Sequence, residues 1–443
     1  MKVGIIGAGA AGLAAAYELT LAGVEVSVYE KASFVGGQAS TFDVESTPLE
    51  RGYHHLFTSD TDILALMSEI GLSDRMEWYE SKVGIFYDGK IFNLVTPLDL
   101  LKFSPLSIID RIRMGLVTMI LKTKKDWESL ETVTTDEWIK TWAGKRVYEV
   151  VWGPLLRGKF GDRHYTEIGM PWFWGKIHTR FASRGKNMAK ELLGYPKGSF
   201  GEIFDTLTKK IELMGGTVKL STGVSKIIIE KGKAVGLSLE SNSKQEVTQR
   251  FDAILSTTPS FVFPKLVPKM PKEYEERLTT VQYMSAVLII LILDRPLTNV
   301  YWLNVADRSI PFVGVIEHTN MIDSSFYGGK HIVYLSNYLN IDHRLYQMDH
   351  KQLLEEYLPH IKKINPDFEE SWIEKTYYHK VGAAQPIIGI NYSQRIPSHK
   401  TPFEGLYLAN TTQIYPEDRG TNYSVRMGRE VAKLLLRDYG SSN

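Results

Sequence analysis

The sequence predicts an α/β protein, and three observations carry that reading. The first thirty residues run strand, glycine turn, helix, strand, acid. Residues 61–194 have mostly helical apolar periodicity, plainest at 63–70 and 108–122. Residues 261–394 instead hold apolar runs of strand length at 286–293, 312–316 and 331–338. Apolar residues three and four apart mark a helix facing a core, whereas short unbroken apolar runs mark buried strands.

The opening is read element by element. Val3-Gly4-Ile5-Ile6 is a short apolar strand that runs into Gly7-Ala8-Gly9-Ala10-Ala11-Gly12. Residues 13–22 are rich in alanine and leucine and read as a helix, which Gly23 stops. Residues 24–30 form a second strand ending at Glu30. This order is the one that a dinucleotide-binding, Rossmann-like domain requires. Gly7 permits the tight turn, Gly9 lets a pyrophosphate approach the backbone, and Gly12 lets the helix lie close to the strand. The free amides and partial positive charge of the helix start suit a diphosphate at Ala10 and Ala11. Glu30, eighteen residues past Gly12, suits the two hydroxyls of an adenosine ribose and would repel a 2′-phosphate.

Composition narrows the function classes. A chain of 443 residues is long enough for two or three domains. A formal net charge of +1 gives no reason to expect a nucleic-acid partner. The N-terminus enters a strand within three residues, and no apolar run reaches the length of a membrane span, so a cytoplasmic protein is expected. Cysteine is absent from the sequence. Disulfide exchange, a thiolate nucleophile, a cysteinyl–flavin link and a cysteine-ligated iron–sulfur cluster are therefore excluded. The histidines are scattered, no metal-ligand spacing stands out, and no GxSxG elbow is present. Redox chemistry would need a bound organic cofactor.

Beyond Glu30 and Lys31, the pair Gly36-Gly37, followed by Gln38, reads as a second backbone approach to the same cofactor. These motifs together resemble the signature of the FAD-dependent amine oxidase superfamily, which includes protoporphyrinogen oxidases, phytoene desaturases and, more distantly, UDP-galactopyranose mutases. The resemblance recurs at 195–200, at Thr222-Gly223-Val224, at 252–259 including Thr257, and at 405–410 and 420–424. It implies FAD as cofactor, with Val224 near the adenine and Asn410, Thr421, Asn422, Tyr423 and Ser424 near the flavin end. Two positions depart from the family pattern: Gln38 stands where arginine is usual, and Asn410 where an acid is usual. The resemblance also implies an FAD-binding domain from 1–60, 195–260 and 395–443, with an α+β substrate domain from 61–194 and 261–394 inserted between its segments.

Candidates for chemistry are fewer. A single glycine loop of this quality favours an oxidase, a dehydrogenase or a flavin used without net redox change over a reductase carrying a second nicotinamide fold. His54, beside His55, is a candidate for tuning the flavin or relaying a proton. Arg419 could bind an anionic substrate or neutralise reduced flavin, but pairing with Glu417 or Asp418 as a loop staple is the more ordinary expectation. Tyr148, Trp152, Phe160, Tyr165, Trp172, Phe173 and Trp174, mixed with Arg157, Lys159, Arg163 and His164, are read as helical core or as the lining of a substrate pocket. Residues 94–125 mix apolar residues with Lys102, Arg111, Arg113, Lys122, Lys124 and Lys125, a pattern suited to a surface helix or to peripheral membrane contact. The expected function is hydride transfer from a substrate carbon to flavin N5, on a small substrate that is lipid-soluble or phosphate-bearing. The alternatives are a non-redox nucleotide-sugar mutase and a non-catalytic prenyl or lipid carrier. No sequence feature fixes the oligomeric state.

Overall fold

The structure is a computed structural model that describes residues 1–184, 191–240 and 247–440. Strand β1 (Lys2–Ile6), helix α1 (Ala10–Leu21) and strand β2 (Glu25–Tyr29) form the expected opening unit. They belong to a five-stranded parallel sheet ordered Thr217–Lys219, β2, β1, Ala253–Ser256, Leu406–Leu408. Val3 and Ile5 have no exposure, as expected for a parallel strand covered on both faces. Ile6 lies opposite both Tyr29 and Ser256, so three strands end level. Ligands of open parallel sheets gather at such carboxyl ends. Here the residues beyond those ends are Gly7, Glu30 and Thr257.

Helix α1 begins at Ala10, three residues earlier than the sequence suggested, because Ala10, Ala11 and Gly12 belong to its first turn. It is apolar almost all round: the sheet lies on one side and the C-terminal helix Thr421–Gly440 on the other. Small residues make that approach possible. A Cβ on Gly428 would lie 2.2 Å from the Ala11 carbonyl oxygen.

The second large sheet has seven strands, ordered Ile373–Pro386, Tyr283–Leu293, His331–Leu339, Gly314–Glu317, Trp302–Val305, Val83–Tyr87, Lys90–Asn93. All its neighbours are antiparallel except Trp302–Val305 beside Val83–Tyr87. Two of its strands come from the stretch read as mostly helical. Their hairpin turns at Asp88-Gly89, both with positive φ, which Asp-Gly turns tolerate. The expected helices at 63–70 and 108–122 are present as Thr61–Glu69 and Ile108–Thr123. Val224 heads a separate antiparallel sheet (Val224–Glu230, Lys233–Leu239, Val247–Arg250). Leu192–Pro196 pairs with both Leu56–Phe57 and Met76–Glu80, which gathers three separated stretches of the chain into one small sheet.

Candidate cofactor and substrate site

The turn after β1 is built around backbone. Gly7 has φ +104, and a Cβ there would lie 2.4 Å from the Thr257 hydroxyl, which donates to the Ile6 carbonyl at 2.8 Å. A Cβ on Gly12 would lie 2.0 Å from the Gly7 oxygen, so no larger residue fits between turn and helix. Gly9 is the N-cap of α1 and supplies no capping side chain, which leaves the first-turn amides of Ala10 and Ala11 without a side-chain acceptor. Gly36 donates to the Ala8 carbonyl at 2.9 Å and bridges to Gly9, so the second glycine loop lies against the first. Glu30 is fixed from both ends: Oε2 accepts from the Ala8 amide at 2.9 Å and Oε1 from the Ala32 amide at 2.8 Å. A groove of free amides beside an oriented carboxylate has the donors and acceptors that a diphosphate and its ribose require.

Other sequence candidates spread from this cradle. Lys31 turns to solvent and pairs with Glu240 at 2.9 Å. The Val224 backbone pairs with Leu239. Asn410 has its side chain engaged within the protein: Nδ2 donates to the Thr258 carbonyl at 2.9 Å, and Oδ1 accepts from the Thr412 amide and hydroxyl. Thr421, Asn422 and Tyr423 reach the main chamber at the start of the last helix, whereas Ser424 sits one residue further into it. Asn422 Oδ1 accepts from the amides of Asp62 and Ile63, but its Nδ2 is buried without a partner. An orphaned buried donor at a helix start is what a flavin carbonyl or phosphate oxygen would satisfy.

The chamber measures about 880 Å³ and adjoins the cradle through Gly37 and Gln38. Its wall includes Trp152, Trp172, Phe173, Lys159 and the residues at 94–97. The pocket reading of the aromatic stretch therefore holds for those four side chains. Phe160 and Tyr148 are core, Arg163 pairs with Asp342 on the surface, and Trp174 donates to the Lys124 carbonyl.

Arg419 departs from the staple expectation. It donates to Gln385 Oε1 at 3.1 Å, Gln38 Oε1 at 3.2 Å and the Tyr338 hydroxyl at 3.2 Å. The neighbouring carboxylates have other partners: Glu417 pairs with Arg426, while Asp418 takes Lys159, Lys176 and the Trp172 indole. Gln38, in the position where the family usually has arginine, thus accepts from an arginine far along the chain. Burial favours the neutral form of Asp418, but the two lysines and Arg419 outweigh it and hold the carboxyl well below its usual range. Burial likewise favours the phenol form of Tyr338, yet Lys159 and Arg419 pull its pKa below the ordinary value.

His54 and His55 both line the chamber. His54 donates from Nδ1 to the Gly52 carbonyl at 2.5 Å and packs on Phe200. Burial first, and Arg419 as well, lower its pKa to about 4, although the Gly52 bond opposes them. His55 meets the Tyr301 hydroxyl at 3.1 Å, and burial with Arg180 and Lys176 nearby lowers its pKa to about 3. Both imidazoles are neutral at pH 7, with the unbonded nitrogen of His54 free to accept. The Gln38–Arg419–Gln385 clamp and the Lys159–Asp418–Lys176 triad were invisible locally, because each joins residues more than two hundred positions apart.

A parallel sheet with its glycine cradle at the strand ends, leading into a large chamber under a second sheet, defines a dinucleotide-dependent flavoprotein. The chain belongs to the flavin containing amine oxidoreductase family, whose model matches residues 10–436, and its cofactor is FAD. Protoporphyrinogen oxidase 2 of Arabidopsis thaliana is 25% identical over 58% of the chain and 57% of that protein. The chain thus spans a little over half the length of that relative. A 15-cis-phytoene desaturase of an Oncidium hybrid is 22% identical over 99% of the chain and 78% of its own length. Among solved structures, an oxidoreductase from Methanosarcina mazei superposes with TM-score 0.75 at 21% identity, covering 98% and 100% of the two chains. A reduced UDP-galactopyranose mutase gives 0.75 at 16%, covering 98% and 95%. These structural likenesses concern the fold alone.

Proposed function

We propose that this chain is an FAD-dependent oxidoreductase of the oxidase or desaturase type, acting on a lipid-soluble small molecule. One observation carries the reading: a glycine cradle for the cofactor opens through Gly37 and Gln38 into an 880 Å³ chamber walled largely by apolar side chains. When bound, FAD supplies a hydride acceptor. The chain's own residues divide the remaining work. Glu30 orients the ribose, the amides of Gly9, Ala10 and Ala11 take the diphosphate, and Asn422 gives its orphaned Nδ2 to the flavin end. The Arg419 clamp fixes Gln38 and Tyr338 around the same end. The apolar wall excludes water and holds the reacting carbon, positioning that counts for as much as any single acid or base. No general base is assigned. His54, neutral and bonded to Gly52, is a positioning residue or a proton acceptor rather than a cation.

The proposed division into a cofactor domain (1–60, 195–260, 395–443) and a substrate domain (61–194, 261–394) is supported by the sheet that joins Val83–Tyr87 and Lys90–Asn93 to strands between 283 and 386. Neither a mutase nor a carrier draws support beyond the shared fold. The test is anaerobic: purified yellow protein is mixed with polyprenes, porphyrinogens, amines and UDP-sugars. Bleaching of the flavin by one apolar class supports the proposal; turnover of a UDP-sugar by reduced protein with no acceptor would replace it.

Peripheral contact with a bilayer is proposed on a separate observation. No helix among the described residues is long and apolar enough to cross a membrane. Yet the helices Pro97–Lys102 and Ile108–Thr123 expose Leu98, Leu101, Ile108, Ile109, Ile112 and Leu116, each more than half accessible. Apolar residues gathered in this way mark an interaction surface. Lys102, Lys124 and Lys125 at its margins suit anionic lipid, and Leu100 and Met114 of the same helices line the chamber.

A further inference from the structure

The helix Met170–Ala182 and the turn after it bring Lys176, Arg180 and Arg184 to the chamber wall at successive spacings of four. Residues four apart share one helix face, where like charges repel. Packing alone would not select such a column. Its members are also poorly neutralised. Lys176 donates to Asp418 Oδ2 at 3.0 Å, but that same oxygen accepts from Lys159. The carboxylate facing Arg180 is Glu191, 3.6 Å away, and Oε1 of Glu191 is buried without a partner. Arg184 donates to the Val95 carbonyl at 2.7 Å, while its Nε is buried with no partner.

Among the described residues, seven cationic side chains line the chamber against two lining carboxylates, Asp60 and Asp418, with Glu191 behind Arg180 and Arg184 as a third. Burial pushes Asp60 up to about 6, so its charge is the weaker of the two. Gly7, Gly9 and Gly12, which form the proposed diphosphate cradle, are not part of this wall. One negative charge on a reduced flavin would still leave an excess. Uncompensated cations in a low-dielectric chamber are costly unless an anion is bound there.

We propose that Lys176, Arg180 and Arg184 bind the acid group, carboxylate or phosphate, of an amphipathic substrate. Arg184 is tied to Val95, at the wall formed by residues 94–119, and Lys176 to Asp418, beside Arg419. Phe173 and Ile177 of the same helix also line the chamber and offer apolar surface to the body of that molecule. Arginine suits this task because its planar fork matches carboxylate and phosphate oxygens. The proposal rests on the oxidoreductase reading only in taking the bound molecule for the substrate; selection of an anion does not depend on it.

The test titrates palmitate, hexadecyl phosphate and hexadecanol into the flavin-loaded protein. Binding is read by quenching of tryptophan fluorescence, since Trp152 and Trp172 line the chamber, and by the change in the flavin spectrum. Both anions, or one of them, should bind at least about ten times more tightly than the alcohol, and the better anion names the acid class. Added salt should weaken the anions and leave the alcohol unchanged. Arg180→Met and Arg184→Met should each remove most of the preference without altering hexadecanol binding, and Arg184→Lys should retain part of it. Equal affinity for alcohol and anions, no salt effect in the unaltered protein, or a uniform loss for all three ligands would overturn the proposal. Anion selection by protein that holds no flavin would keep this site and remove the oxidoreductase reading.

Discussion

Single side chains carry the sharpest expectations. Glu30 is held by two amides, and in the proposed site it offers its remaining lone pairs to the cofactor. Charge-assisted hydrogen bonds of this kind contribute about 1.5–3 kcal/mol, so Glu30→Ala should raise the FAD dissociation constant by at least ten-fold, measured by reconstitution of apoprotein. Glu50 makes a different prediction. It has no exposure, accepts from the Phe200 amide at 2.9 Å and the Tyr195 hydroxyl at 2.8 Å, and burial raises its pKa to about 7. A carboxyl whose folded-state pKa is raised binds its proton more tightly in the folded state. Its contribution is complete below the unfolded value near 4.5 and is lost as pH rises through 7. Glu50→Gln cannot ionise, so its stability relative to the unaltered protein should climb by about 3 kcal/mol between pH 4 and pH 8 in urea titrations. A pH-independent difference would show that Glu50 does not titrate in that window. Both residues were present in the sequence, but only Glu30 was legible there. Its role follows from spacing to a glycine loop, whereas the burial of Glu50 depends on Tyr195 and Tyr334 arriving from distant strands.

At the scale of elements, α1 lies close against the helix Thr421–Gly440, an approach that would couple the glycine cradle to the proposed flavin end of the chamber. Gly428→Val would put side-chain atoms where the Ala11 carbonyl stands. Overpacking of this kind costs about 1–3 kcal/mol. The variant should melt at lower temperature and also lose FAD more readily, since the displaced helix carries Thr421 and Asn422. Lowered melting with unchanged FAD affinity would uncouple the two. The helices Pro97–Lys102 and Ile108–Thr123 give the second expectation. Ile109→Ser with Ile112→Ser should abolish co-sedimentation with phosphatidylglycerol vesicles while leaving the melting temperature within a few degrees, because both residues are exposed in the free protein. Undiminished sedimentation would exclude this face. Elements with strong local signals are legible in kind though not in their ends: β1, α1, which starts three residues before the expected helix, and the strand Tyr283–Leu293, of which 286–293 is the expected part. Val83–Tyr87 and Lys90–Asn93 were missed because they sit among helices in the sequence and find their sheet only through Trp302–Val305. Ile373–Pro386 was missed because its first ten residues are half-exposed and polar, without a continuous apolar run.

The whole molecule joins a glycine cradle, the proposed cofactor site and legible as a motif in the first thirty-seven residues, to a chamber assembled from parts of the chain that no local pattern connects. The Arg419 clamp and the cation column belong to that assembly, which explains why sequence spacing pointed to the cofactor and left the substrate open. Everything downstream depends on FAD lying in the glycine cradle. The most direct measurement is the visible spectrum of the purified protein, with the mass of what acid precipitation releases, compared with the same measurements on Gly12→Val. The unaltered protein should be yellow and release intact FAD, since without cysteine no cysteinyl link can retain it, and Gly12→Val should be colourless and take up none. A colourless unaltered protein that takes no FAD from solution, or a Gly12→Val protein that binds it equally well, would contradict the account.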